Sequence, residues 1–301
     1  MTTARKPRIG LALGSGSARG WAHIGVIRAL EQAGVRPDYV CGTSIGALVG
    51  AAYALGELDR LEQWALGLDR KEVVGFMDVG LAGGLLKGER LMSFFRDHVA
   101  DRPIERLSMP FAAVATALDN GAEIWLRSGS TLDAVRASIA VPGLFAPVLH
   151  EGMVLVDGGL VNPVPVSLAR AMGADVLIAV DLSSDILGRR VRAELPPERP
   201  AGPVGDWIRG LQGKLEPLIS EHSPGDPAMP SLLNVMVSSI HIMQARISRS
   251  RLAGKPPDII AAPRLAHLRL LDFHRAKEAI EEGRQAVQRV AHRLAELSTT
   301  N

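Results

Sequence analysis

Apolar positions along the chain gather in short runs that end in small residues. Residues 9–13 form such a run, stopping at Gly14 and Ser15, and the spacing of Trp21, Ile24, Ile27 and Leu30 behind it predicts a helix closed by Gly34. The same unit follows again: Tyr39-Val40-Cys41 predicts a buried strand, Gly42 to Gly46 a turn, and residues 47–55 a helix of small residues. Helices are expected at 58–68 and 89–99, then a strand pair, 111–117 and 123–126, around the turn Asp119-Asn120-Gly121. A helix at 132–139 closed by Pro142-Gly143, a strand at 153–156, a helix at 164–172 and a strand at 176–180 complete the series. The alternation predicts an α/β protein with a mostly parallel sheet between helical layers, its core spanning residues 9–182.

Prolines at 196, 197, 200, 203, 217, 224, 227 and 230 mark residues 185–230 as a surface excursion. Within it, residues 206–219 place Trp207, Ile208, Leu211, Leu215 and Leu218 on one helical face, either packed on the body or facing lipid as a lid. Beyond it, residues 231–301 read as a helical part: a long amphipathic helix at 232–252, a short strand at 258–262 and a closing helix at 273–297. No internal repeat and no second core is evident, so a single domain over residues 1–301 is expected.

Composition narrows the function classes. With 47% hydrophobic residues in 301 the chain can bury a sizeable core, and a net charge of +2 with no basic block gives no sign of a nucleic-acid partner. The apolar run behind the basic N-terminal residues is too short for an export signal, and residues 45–55 span about half of the ~20 residues a membrane helix needs. A single cysteine, Cys41, and the lack of zinc-like or calcium-loop spacing fit a reducing compartment and a protein without metal or other cofactor. A cytoplasmic location is expected, with any peripheral contact at the inner membrane face.

Three stretches carry candidate chemistry. Gly42-Thr43-Ser44-Ile45-Gly46 fits the nucleophile-elbow pattern, in which flanking glycines allow a sharp strand-to-helix turn that exposes the serine hydroxyl. Gly14-Ser15-Gly16-Ser17-Ala18-Arg19-Gly20 lies at another strand-to-helix turn, where small residues let backbone N–H groups face an anion. The glycines at 14, 16 and 20 miss the dinucleotide fingerprint and no Gly-Lys-Ser/Thr is present, which leaves an oxyanion hole as the reading. Asp157-Gly158-Gly159 sets an acid at the end of a predicted strand, a pattern that by itself is often only a turn. Eight histidines (23, 98, 150, 222, 241, 267, 274 and 292) also allow a Ser-Asp-His order, yet only about two strands fit before Ser44, fewer than an α/β-hydrolase has ahead of its elbow.

In this order and spacing the three stretches resemble the patatin-like phospholipase family, most nearly its short bacterial stand-alone members of the RssA type. Gly84 to Glu89, Pro142-Gly143-Leu144, Pro256-Pro257-Asp258 and Leu271 to Ala276 are similar to that subgroup as well. The resemblance implies a three-layer α/β/α fold and a Ser-Asp dyad in place of a triad, with Ser44 as nucleophile and Asp157 as base. It implies fatty-acyl esters as substrates, phospholipids or lysophospholipids first and monoacylglycerols or small esters behind, and it accommodates peripheral membrane contact.

Where the family has three glycines this chain has Ser15, Gly16 and Ser17. A hole with the N–H groups of Gly16 and Ser17 as donors is expected if Ser17 keeps a negative φ. Arg19 is expected to brace this turn, the alternative being a surface charge. An aspartate titrating at about 3.9 is a weak base at neutral pH, so the site is expected to raise it by burial or to lean on the hole. The rival from another class is a non-catalytic lipid-binding or regulatory protein with the same fold.

Overall fold

The computed structural model describes residues 6–75, 101–186 and 232–299. In chain order its elements are β1 (Ile9–Leu13), α1 (Ala22–Gln32), β2 (Tyr39–Thr43), α2 (Ile45–Leu55), α3 (Leu58–Gly67), α4 (Arg70–Gly75), β3 (Phe111–Ala117), β4 (Glu123–Leu126), α5 (Thr131–Ser138), β5 (Val148–His150), β6 (Met153–Asp157), α6 (Val166–Ala171), β7 (Val176–Val180), α7 (Leu232–Gly254), β8 (Ile259–Ala261), α8 (Ala276–Gln288) and α9 (Ala291–Thr299). The expected helices at 89–99 and 206–219, with the Gly84 to Glu89 stretch, lie outside the described residues. Among the described residues no helix is long and apolar enough to cross a membrane.

The strands make one sheet, with β3, β2, β1, β7 and β8 parallel in that order and β4, β5 and β6 antiparallel at the β3 end. Side chains alternate across it, as a period of two requires. Leu11, Leu13, Val40, Phe111, Ala113, Ile178 and Val180 pack with α1, α2, α3 and α8, while Ala12, Cys41, Ala112, Val114, Leu177 and Ala179 pack with α6. The result is the expected three-layer α/β/α arrangement, with both sheet faces buried because each βα crossover returns a helix to the sheet.

Two helices touch backbone to backbone. A Cβ on Gly25 of α1 would lie 1.8 Å from the Ile280 carbonyl oxygen of α8, and one on Gly283 would lie 2.0 Å from the Ala22 oxygen. Beside this contact the buried Trp21 meets Trp64 and Phe273 edge-on, and its indole N–H donates to the Phe273 carbonyl at 3.1 Å.

Two features were not expected, the strand paired with β6 and the helix α4, and one expectation needs correction, the unbroken closing helix. Residues 153–156 are the second arm of a hairpin whose first arm is β5, turned by Glu151 and Gly152, both at positive φ. Residues 70–75 add a short helix. The closing helix is interrupted: a 3-10 turn, Phe273–Arg275, precedes α8, and a turn at 289–290 separates α8 from α9 without any Gly or Pro to announce it.

Candidate active site

Ser44 stands alone between β2 and α2, with φ 57° and ψ −127°, a conformation that costs a non-glycine residue about 1–3 kcal/mol. Its neighbours hold it there. A Cβ on Gly42 would sit 2.2 Å from the Gly46 carbonyl oxygen, and one on Gly46 would sit 2.2 Å from that of Leu13, so the elbow closes only with glycine at both positions. The Ser44 N–H donates to Ser138 Oγ at 2.9 Å, and that hydroxyl donates to the Val114 carbonyl at 2.6 Å. Ser138 is a buttress that no sequence pattern marks.

Strand β3 brings Asp157 to the elbow. Ala113 and Val114 pair with β2 and β4 at once, and Ala115 and Thr116 pair with β4 and β6. Since a strand has two edges, β4 holds one and β2 and β6 follow each other along the other. Thr43 faces Val114 and Asp157 faces Ala115, consecutive positions on that edge. Ser44 Oγ accordingly donates to Asp157 Oδ2 at 2.5 Å, while the Gly159 N–H donates to Oδ1 at 2.7 Å. Asp157 is fully buried, and burial raises its pKa to about 6 against the opposing pull of the Ser44 and Gly159 hydrogen bonds. Gly158 packs so closely on Val114 that a Cβ would lie 2.2 Å from its carbonyl oxygen.

The Gly-rich turn ends β1 beside this pair. Its start is pinned by Gly14 N–H to Val180 O at 3.1 Å and Ser15 N–H to Pro163 O at 2.8 Å, and Gly20 packs on Ile45, the residue after Ser44. Among the described residues the N–H groups of Gly16 and Ser17 have no hydrogen-bond partner, and both residues line a cleft with Ser44. The expected negative φ at Ser17 is corrected: its φ is 51°, in the left-handed region, and among the described residues its N–H is left without a partner at the cleft all the same. Its hydroxyl offsets part of that cost by donating to the Leu270 carbonyl at 2.7 Å.

Arg19 is a brace, with no role as a surface charge: it is 4% exposed and donates to the carbonyls of Gly16 and Leu182, both at 3.2 Å. Burial lowers its pKa, countered by the charges of Asp185 and Asp181.

No imidazole stands between Ser44 and Asp157. His23 is fully buried with Nε2 2.7 Å from the Gly14 carbonyl, and burial lowers its pKa to about 4, so as a neutral donor it supports the turn. His241 of α7 lines the cleft, its pKa lowered to about 4 by burial and by the Arg19 charge. His267 pairs with Glu278 on the surface, and His98 and His222 lie outside the described residues. The cleft also includes Val141, Ile240, Gln244 and Leu270, and it leaves about 20 Å³, room for little more than one water. Among the described residues no three metal-binding side chains come together.

These features define an α/β protein with a serine-aspartate pair at a strained elbow beside a Gly-rich turn whose N–H groups at 16 and 17 have no partner among the described residues. Residues 11–170 match the family model described as patatin-like phospholipase, and the chain belongs to that family. An uncharacterized NTE family protein of Mycobacterium tuberculosis (strain ATCC 25618 / H37Rv) is 34% identical over 92% of this chain and 89% of its own length. A second NTE family protein of that strain is 32% identical over 93% of this chain and 46% of its own. Patatin-like phospholipase domain-containing protein 7 of Mus musculus is 36% identical over 58% of this chain, which is 14% of that protein. The matches establish the family, without separating its subgroups, and membership supports lipid hydrolase activity in general terms. VipD from Legionella pneumophila aligns over 96% of this chain and 67% of its own with 12% identity and a TM-score of 0.44, too distant to carry an argument.

Proposed function

We propose that the protein is a carboxylic ester hydrolase acting on fatty-acyl lipids, as a phospholipase A or lysophospholipase, with Ser44 as nucleophile and Asp157 as its base. The observation that carries this is the 2.5 Å hydrogen bond from Ser44 Oγ to a fully buried carboxylate. As Oγ bonds to the ester carbonyl carbon, its proton passes to Asp157 Oδ2 and the carbonyl oxygen takes the negative charge, facing the N–H groups of Gly16 and Ser17. Collapse breaks the bond to the leaving alcohol, which takes the proton from Asp157. A water then attacks the acyl-serine with the same carboxylate as acceptor and restores Ser44. The raised pKa brings Asp157 closer to the proton affinity that a base needs at neutral pH.

The test is hydrolysis of p-nitrophenyl butyrate and a lysophosphatidylcholine by the native protein and Ser44→Ala. Turnover of both esters that vanishes in Ser44→Ala is expected, and silence of the native protein on a panel of acyl lipids would favour a lipid-binding role instead. A second expectation concerns pH. Only the ionised carboxylate accepts the proton, so kcat/KM should rise tenfold per unit up to pH about 6 and level off above it. An acid limb centred near 4 would contradict burial as the tuning device.

A further inference from the structure

Both serines that stand in place of family glycines reach across to the part of the chain beyond residue 231. Ser15 Oγ donates to Gln244 Oε1 at 3.2 Å, and Ser17 Oγ donates to the Leu270 carbonyl at 2.7 Å. Gln244 is only 7% exposed, unusual for a long amide whose burial costs rotamer freedom and solvation unless its polar ends are used. Its oxygen is committed to Ser15, and its nitrogen lies against Gly159, where a Cβ would come within 2.4 Å of it. Gly159 in turn holds the free oxygen of Asp157. One side chain therefore touches the turn that would bind the oxyanion and the turn that carries the base. The helix bearing it is fixed further along by Arg251, whose guanidinium pairs with Glu123 at 2.9 Å, and Glu123 also accepts from Asn162 at 2.7 Å.

We propose that Gln244 is a positioning residue for acyl transfer: through Ser15 it sets the anion-binding turn against the Asp157 turn, so that α7, outside the matched family region, completes the site. The inference rests on the Ser44-Asp157 reading above. Its physical basis is that the developing oxyanion and the departing proton are served by groups at the ends of different strands, β1 and β6. Their relative placement must hold to a fraction of an ångström for the rate to be kept. Glycine at 15 would leave the turn free of this tether, whereas serine with Gln244 ties it down.

The experiment is a double-mutant cycle on p-nitrophenyl butyrate with Ser15→Ala, Gln244→Met and the pair, together with Gln244→Glu. Methionine keeps the volume and removes both polar ends. Each preparation is titrated with a fluorophosphonate that labels Ser44, which counts competent sites and normalises for any unfolded fraction. Gln244→Met and Ser15→Ala should each lower kcat per labelled site by about tenfold with KM within about twofold, and the pair should lose no more than either alone. Gln244→Glu keeps the acceptor for Ser15 and adds a negative charge beside the base, so the acid limb of kcat/KM should move to higher pH. A role in stability alone would leave kcat per labelled site unchanged, and the limb reports that the side chain at 244 stands beside the base.

Losses that multiply, an unchanged kcat in Gln244→Met, or an unmoved limb would each overturn the inference. Failure of the underlying reading looks different. If the native protein is not labelled at Ser44, or Ser44→Ala still turns over, the dyad falls and this inference with it. If Ser44 is labelled and Gln244→Met is indifferent, only the inference falls.

Discussion

Asp157→Asn should abolish turnover and at the same time make the protein more stable at neutral pH. Asparagine cannot take the Ser44 proton, and losing the base should lower kcat by about 10³-fold or more. The stability change follows from where the carboxyl titrates. In the unfolded chain it does so near its ordinary 3.8, and in the fold at about 6. Between those values the folded protein holds a proton that the unfolded chain has released, so native stability falls as pH rises through this window and stays low above it. Asparagine never ionises and escapes that loss. The melting temperatures of native protein and variant should lie close together at pH 4, separate between pH 4 and 6, and remain apart at pH 8 by the equivalent of about 1–3 kcal/mol. Denaturation curves that keep a constant separation across this range would show that Asp157 does not titrate above its ordinary value in the fold.

Gly46→Ala should be among the most damaging single-methyl changes at the described glycines. The added carbon would meet the Leu13 carbonyl oxygen at 2.2 Å and its carbon at 2.6 Å, and both belong to the backbone of a central strand that cannot retreat. A loss of about 3 kcal/mol or more is expected, read as a lower urea midpoint, with fluorophosphonate labelling of Ser44 lost in the fraction that still folds. Ala47→Gly, one position along the same helix, offers a comparison without a clash, in which helix propensity and one fully buried methyl are lost, together about 2 kcal/mol. If Gly46→Ala unfolds at the same midpoint as Ala47→Gly, the close approach at the elbow is not what fixes that residue.

Much of this was legible in the sequence because small residues punctuate it. The two strand-turn-helix units, the hairpin at Asp119-Asn120-Gly121 and the candidate residues Ser44, Asp157 and Arg19 all sit where glycine and serine interrupt apolar runs. Their relation to one another was not legible. That Ser44 and Asp157 meet depends on β2 and β6 sharing one edge of β3, a pairing that local pattern does not encode. The positive φ of Ser17 goes with a hydrogen bond to Leu270, a residue far along the chain, and the β5 hairpin turns on Glu151, a residue with no turn preference to advertise it. Gln244 and His241 were visible only as polar members of an amphipathic helix. Their shared face, three residues apart, was the available clue, and nothing local says what that face covers.

The glycine contact between α1 and α8 has a consequence for how the protein comes into being. α1 follows directly on the anion-binding turn, yet the surface it packs against, Ile280 and its neighbours, is near the other end of the described chain. Contacts so far apart in sequence form late and slowly. During synthesis the elbow and its serine leave the ribosome early, while the partner helix that seats α1, along with Gln244 and Leu270, has not yet been made. If Ser44 is the nucleophile proposed above, a nascent chain is expected to carry it without being able to use it until residues 276–288 have been made and have seated α1.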